Sequence, residues 1–201
     1  VGPVAAIGPW NYPVLLLCWK VAPALAAGCT VVTKPPSVTP LTVTRFLTCL
    51  IEAGLPAGAL NVVIGPGRTV GDRLVRHPLI RKIGFTGETR TGEAIMKAAA
   101  EGMKRISLEL GGHCPLVVFP DADVAAAAKA AAYRSFRNMG QICNAVNRIY
   151  VHREIYDRFV EAMVEETRRL RIGRGLDDLD LGPMTTRDGL EKTIEHIEEA
   201  K

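Results

Sequence analysis

The sequence predicts an α/β fold: a Rossmann-like open parallel sheet with helices on both faces, followed by part of a second α/β domain. Two observations carry this expectation. Short runs rich in β-branched residues alternate with longer helical segments from Val4 to Leu110, and such alternation calls for parallel strands joined by crossover helices. Prolines and glycines also fall where those helices begin and end.

Val4–Ile7 is the first strand. Pro13 opens a helix where no N–H is needed, and Gly28 closes it. Thr30–Lys34 is the second strand and completes a βαβ unit. Thr39-Pro40 opens a helix that stops at Gly54, and Asn61–Ile64 is a strand. Thr69–Arg76 is a short helix, Lys82–Thr86 a strand, Thr89–Ala100 a helix and Arg105–Leu110 a strand. The pair Gly111-Gly112 permits a change of direction, so the domain boundary is placed there. Beyond it come the strand Leu116–Phe119, an Ala-rich helix from Asp123 to about Phe136, and a polar loop. The strand Arg148–His152 and an amphipathic helix from Glu154 to about Leu170 follow. No internal repeat is visible.

Composition narrows the class. With 201 residues, 48% of them hydrophobic and 23% charged, the chain can bury a core. Its net charge of +4 is spread over interleaved acids and bases, which argues against a nucleic-acid footprint. The longest apolar stretch, Val14 to Ala27, is interrupted by Lys20 and Pro23 and is too short to span a bilayer. Five cysteines at irregular positions make no disulfide framework, so a reducing compartment, the cytoplasm, is expected. Val1 is not an initiator Met and Lys201 lies inside a charged helical pattern, so both ends read as cuts.

Several side chains sit where chemistry is done. Asn11, in Pro9-Trp10-Asn11-Tyr12-Pro13, follows the first strand at its carboxyl end, where open α/β sheets bind ligands. Its amide either offers a fixed donor or satisfies its own backbone in a rigid turn. Lys34, ahead of Pro35-Pro36-Ser37, either meets a ribose or phosphate or is simply solvated. The segment Gly84 to Gly92 joins a strand to a helix whose free N–H groups favour an anion, although its spacing is not the ordinary dinucleotide fingerprint.

Glu109, in Leu108-Glu109-Leu110-Gly111-Gly112, is a carboxylate among apolar residues, and desolvation there suits a general base. The alternative is an ion pair with Lys104 or Arg105. Cys18, Cys29, Cys49 and Cys114 lie in apolar surroundings that favour small buried thiols, whereas Cys143 follows a polar, glycine-containing loop where a thiol can be exposed and activated.

Pro9-Trp10-Asn11, Lys34-Pro35, Phe85-Thr86-Gly87, Glu109-Leu110-Gly111-Gly112 and Gly140-Gln141-Ile142-Cys143 resemble, in this order, the motifs of the aldehyde dehydrogenase superfamily. The separations also match: 98 residues from Asn11 to Glu109 and 34 from Glu109 to Cys143. The likeness runs through nearly the whole chain and is nearest to succinate-semialdehyde and 2-hydroxymuconate-semialdehyde dehydrogenases. It implies a dinucleotide-binding domain over residues 1–111, without its N-terminal part, and the first part of a catalytic domain over 112–201, without its C-terminal part. The segment alone is expected to be inactive.

The resemblance further implies NAD(P)-dependent oxidation of an aldehyde to a carboxylic acid. Cys143 attacks the carbonyl, while the Asn11 side chain and the Cys143 N–H hold the oxyanion. Hydride passes to the nicotinamide and leaves a thioester, which water activated by Glu109 hydrolyses. Lys34 contacts the adenosine ribose. Trp10, Phe85, Gly87 and Glu88 line the dinucleotide, Leu110 lies near the nicotinamide, and Gly65 and Gly67 lie under the adenine side. Most relatives have Ser in place of Glu88, whose carboxylate is expected to turn outward from a pyrophosphate. His113 has no family role and is expected to be structural. No metal is implied, the partner is a small-molecule aldehyde, and the full-length protein is expected to be a homodimer or homotetramer.

Three further expectations follow from the resemblance. CoA-dependent branches generally lack the hydrolytic glutamate, so the presence of Glu109 favours hydrolysis over acyl transfer to CoA; a catalytically dead relative would be expected to lose the nucleophile. Ser37 stands where NAD-preferring relatives often hold Glu, which leaves room for a 2′-phosphate, so NADP should be accepted. Arg137 resembles an arginine that grips the substrate carboxylate in succinate-semialdehyde dehydrogenases, or it is a surface residue. That subfamily's second arginine appears here as Trp19, and Trp19 with Val14-Leu15-Leu16-Leu17 resembles the muconate-semialdehyde enzymes. An acid semialdehyde with an extended apolar body is therefore expected.

Overall fold

Strand β1 (Val4–Ile7) has all four residues buried, and its alternating side chains feed two different cores. Val4 and Ala6 join Leu17, Val21, Val43 and Leu47 on one face, while Ala5 and Ile7 join Val75, Ile83 and Ile95 on the other. A strand apolar on both faces must be covered on both. In this computed structural model, which describes residues 1–201, the covering helices are α1 (Pro13–Ala26) and α2 (Pro40–Glu52) on the first face. On the second they are α3 (Asp72–Arg76) and α4 (Thr89–Ala100).

The other strands are β2 (Val31–Lys34), β3 (Leu60–Val62), β4 (Lys82–Thr86) and β5 (Arg105–Glu109). All pairs are parallel, in the order β3-β2-β1-β4-β5. The order reverses between β1 and β4, which makes that gap the topological switch point. Fully burying one Leu, Ile or Val contributes about 1.5–3 kcal/mol, so these two cores dominate the unit's stability.

The chain divides into two units, Val1–Gly111 and Gly112–Lys201. In the second, β6 (Cys114–Val118) and β7 (Val146–Val151) form a two-stranded parallel sheet with a register shift at Cys114/Pro115. Such an irregularity at a sheet edge accommodates a proline. Helix α5 (Val124–Phe136) is capped by Asp123, which accepts the Ala126 N–H at 3.1 Å. Its buried Ala128 and Ala131 pack with Phe159 of α6 (Tyr156–Arg168) in the unit's core. Helix α7 (Arg187–Glu199) starts at Thr186, whose hydroxyl accepts the Gly189 N–H at 3.2 Å.

Several element ends differ from the sequence reading. β3 ends at Val62 instead of Ile64, and the expected helix Thr69–Arg76 begins as a π turn at Gly67. There the Pro66 carbonyl accepts three N–H groups, from Thr69, Val70 and Gly71. β5 stops at Glu109 instead of Leu110, β6 starts at Cys114, β7 runs Val146–Val151, and a 3-10 turn at Arg153–Ile155 precedes α6. The strand ends are set by pairing with the neighbouring strand, whereas the π and 3-10 turns are set by local bonds to Pro66 and His152.

Candidate active site

The carboxyl edge of the five-stranded sheet collects the residues singled out in the first unit. Ile7 pairs with Lys34 on one side and with Phe85 on the other, and Thr86 pairs with Glu109. The ladder extends one step past the strands: Gly8 N–H donates to the Lys34 carbonyl at 3.2 Å and Gly87 N–H to the Glu109 carbonyl at 3.1 Å. The Asn11 loop, Lys34, Gly87 and Glu109 are therefore placed by adjacent strand ends.

Asn11 is half-buried, and its Oδ1 accepts the Tyr12 N–H at 3.0 Å. That bond identifies the oxygen edge of the amide and so orients the NH2 edge, its donor side. The amide oxygen thus satisfies its own backbone, as the rigid-turn reading expects. Trp10 is anchored through its carbonyl, which accepts the Thr39 hydroxyl at 3.1 Å.

Lys34 is not solvated. It is 4% exposed, and burial pulls its ammonium below the usual lysine range. Its Nζ donates to the Pro35 carbonyl at 3.1 Å, and its stem runs past Gly71, where an added Cβ would lie 3.8 Å from Cδ. Ser37 is exposed and donates to the Gly65 carbonyl at 3.3 Å, which brings those two residues together across 28 positions. Gly65 has no room for a side chain, since a Cβ would approach Val70 Cγ2 to 2.5 Å, whereas Gly67 faces open space. The Phe85 ring lies against Gly87, where a Cβ would meet Cζ at 2.5 Å, and Glu88 is exposed with no side-chain capping bond. Leu110 fills the space left by Gly92.

Glu109 corrects the sequence reading. It is exposed at the end of β5, so desolvation does not surround it. Nor is its partner Lys104 or Arg105: Lys104 Nζ donates to the Val75 and His77 carbonyls at 2.6 Å each, and Arg105 is exposed. Lys20 of α1 lies close enough to feel the charge of Glu109, without forming an ion pair with it. Lys20 Nζ donates to the Leu16 carbonyl at 2.9 Å and to the Thr86 hydroxyl. Burial lowers its pKa, and the charge of Glu109 pushes it back up. Gly84 on β4 makes this possible, because a Cβ there would come within 3.2 Å of Lys20 Cγ. Sequence reasoning used Lys20 only as a break in an apolar stretch; a lysine on an otherwise apolar helix face was the available signal.

In the second unit Cys143 is exposed, in the loop between α5 and β7. The other thiols do not form one buried class: Cys29 is buried, Cys18 and Cys114 are half-buried, and Cys49 is exposed on α2. Burial pushes the Cys18 thiol up. Exposure at Cys49 arises because α2 turns that side of its apolar stretch away from Val43 and Leu47. Arg137 is exposed, with its guanidinium carbon 5.5 Å from the centre of the Tyr133 ring, a cation–π stack. His113 is exposed.

A doubly wound sheet with polar and charged side chains gathered on its carboxyl edge is the architecture of folds that bind ligands there. The sequence model described as "Aldehyde dehydrogenase family" matches residues 1–201, and the chain belongs to that family. It is 48% identical over 198 residues to a phenylacetaldehyde dehydrogenase of Pseudomonas fluorescens, covering 98% of this chain and 39% of the relative. It is 45% identical over 201 residues to the NADP(+) succinate-semialdehyde dehydrogenase GabD of Escherichia coli K12, covering 100% and 42%. An aldehyde dehydrogenase from Bacillus cereus solved as its NAD+ complex superposes with a TM-score of 0.95 at 39% identity, over 98% of this chain and 40% of that one. The chain thus spans about two fifths of the length of the relatives it matches. No helix is long and apolar enough to cross a membrane.

Proposed function

We propose that the protein carrying this chain oxidises an aldehyde to a carboxylic acid with NAD or NADP, using Cys143 as nucleophile. The observation that carries the reading is the gathering of Asn11, Lys34, Gly87 and Glu109 at adjacent carboxyl ends of one sheet in a chain of this family. Motif order within the family is what joins Cys143 to these residues.

The residues present fit a dinucleotide. Lys34 is a buried ammonium with a single protein acceptor, so two of its N–H bonds are available to a ribose or phosphate. Ser37 and the Gly65 carbonyl form a polar pair nearby, while Trp10 and the Phe85–Glu88 turn complete the edge. Exposed Glu88 leaves anion contact to backbone N–H groups. Ser37 in place of a carboxylate admits a 2′-phosphate, so NADP is accepted, in line with the NADP(+) named for the E. coli relative. The bound cofactor supplies the hydride acceptor.

The protein's own part is as follows. The Cys143 thiolate adds to the carbonyl carbon, and the displaced electron pair settles on oxygen. The Asn11 NH2 and the Cys143 N–H hold that oxyanion, and preorganised donors of this kind contribute about 3–4 kcal/mol each. After hydride loss the acyl group remains as a Cys143 thioester. Glu109 takes a proton from the attacking water, and Cys143 leaves as thiolate. The charge of Glu109 in turn favours the charged form of Lys20.

The substrate is an acid semialdehyde with an apolar body, gripped at its carboxylate by Arg137, whose planar fork suits bidentate pairing. Of the substrates named for the two relatives, succinate semialdehyde carries the carboxylate and phenylacetaldehyde, which is neutral, carries the apolar body. The enzyme works as a homodimer or homotetramer in the cytoplasm, a setting that suits five free thiols. The test is kcat/KM of the whole protein with NAD and NADP on acid semialdehydes and neutral aldehydes of matched length. Preference for the acids, lost in Arg137→Ala, supports the assignment; preference for neutral aldehydes in both forms overturns the role of Arg137.

A further inference from the structure

Gln141, two residues before Cys143, has both ends of its carboxamide engaged. Nε2 donates to the Asn138 carbonyl at 3.0 Å, and Oε1 accepts the Thr185 N–H at 3.1 Å. The Gln141 N–H also donates to the Asn138 carbonyl at 3.0 Å, so one residue supplies two donors to that oxygen. In return Asn138 Nδ2 donates to the Gln141 carbonyl at 3.4 Å. The two residues bracket a turn, and the turn is strained.

Asn138, Met139 and Gly140 are consecutive left-handed residues, with φ of 52°, 57° and 71°. Glycine takes this conformation freely and asparagine takes it readily, but methionine does not. Gly140 is needed for a second reason, because a Cβ there would stand 3.2 Å from the Ser135 carbonyl. The turn leads directly into the loop that carries Cys143, where Ile142 N–H donates to Gly140 O at 2.8 Å and Ala145 N–H to Ile142 O at 3.1 Å. A left-handed methionine persists only where its surroundings over-determine it. Here the surroundings are the Gln141 bracket and its tie to the segment before α7.

We propose that Gln141 is a positioning residue for Cys143: its carboxamide locks the left-handed turn Asn138–Gly140 and fastens it to Thr185, so that the thiol is presented in one conformation. This rests on Cys143 being the nucleophile. Substitution at Gln141 should slow acylation while leaving the thiol and the cofactor site intact. Misplacing a reacting group by about 1 Å costs on the order of 100-fold in rate, so a fall of roughly 10- to 100-fold is expected.

The experiment uses the whole protein. Gln141→Ala removes both contacts, whereas Gln141→Glu keeps an acceptor for Thr185 and sets a carboxylate against the Asn138 carbonyl. For each variant the burst rate of reduced cofactor, the cofactor Kd, Tm and iodoacetamide labelling of Cys143 are measured. A slowed burst in both variants, with unchanged Kd, Tm and labelling stoichiometry, supports the proposal. So does partial recovery of the burst when Met139→Gly is added to Gln141→Ala, because glycine removes the strain the bracket restrains. Unchanged burst rates overturn it, as does a loss that tracks Tm and Kd alike, or a double variant with no recovery. A full burst in Cys143→Ala would instead sink the nucleophile assignment, which separates the two failures.

Discussion

Replacing Lys34 by Met should make the protein more stable and worse at binding its cofactor. The side chain is 4% exposed, its stem packs beside Gly71, and its ammonium has one hydrogen bond, to Pro35. Methionine keeps most of the stem's volume and removes the buried charge. A hydrogen bond from a charged donor contributes about 1.5–3 kcal/mol, whereas burying an ion costs several kcal/mol after relaxation. The balance favours Met by on the order of 1 kcal/mol, a rise in Tm of less than about 2 °C in a whole protein longer than this chain. Binding moves the other way, because losing a charge-assisted bond to the cofactor raises Kd about 10- to 100-fold. Thermal melts and fluorescence titrations of the whole protein with NAD and NADP read both effects. A Tm that drops by several degrees refutes the desolvation reasoning, and an unchanged Kd refutes the placement of Lys34 at the cofactor.

Four other expectations can be checked directly. Limited alkylation followed by peptide mapping should find Cys143 and Cys49 modified and Cys29 protected, with activity lost in step with Cys143 alone; loss that tracks Cys49 counts against Cys143. In Glu109→Gln, a burst of reduced cofactor should be followed by accumulation of acyl-enzyme visible by intact mass, and disappearance of the burst itself would move Glu109 to an earlier step. Ser37→Glu should weaken NADP far more than NAD, and equal effects would place Ser37 away from the 2′ position. Lys20 has a lowered folded pKa, so its contribution to stability is fully present above the ordinary lysine value and is lost as pH falls through the lowered one. The denaturation midpoint should therefore rise with pH on the approach to the ordinary lysine value of about 10.4, and Lys20→Met should flatten that rise; an unchanged slope in the variant removes Lys20 as its cause.

The alternation of strands and helices could be read from the chain because it is written in local chemistry. Pro13 and Pro40 start helices, four β-branched or small apolar residues make β1, and glycine closes the helices. The loop positions of Asn11 and Cys143 and the strand-end position of Glu109 could be read as well, whereas their proposed roles rest on motif order within the family. The tertiary structure decided burial and partnership. Lys34 became a buried ammonium because β2 lies inside the sheet, and Glu109 stayed exposed because it ends the edge strand β5. Lys20 reaches Thr86 across 66 positions, over a glycine on β4, and Gln141 reaches Thr185 across 44. Such contacts depend on which strands are neighbours. A window along the sequence carries the propensity of each segment but not the identity of what packs against it, and it is the packing partner that sets a side chain's desolvation, its hydrogen bonds and its charge.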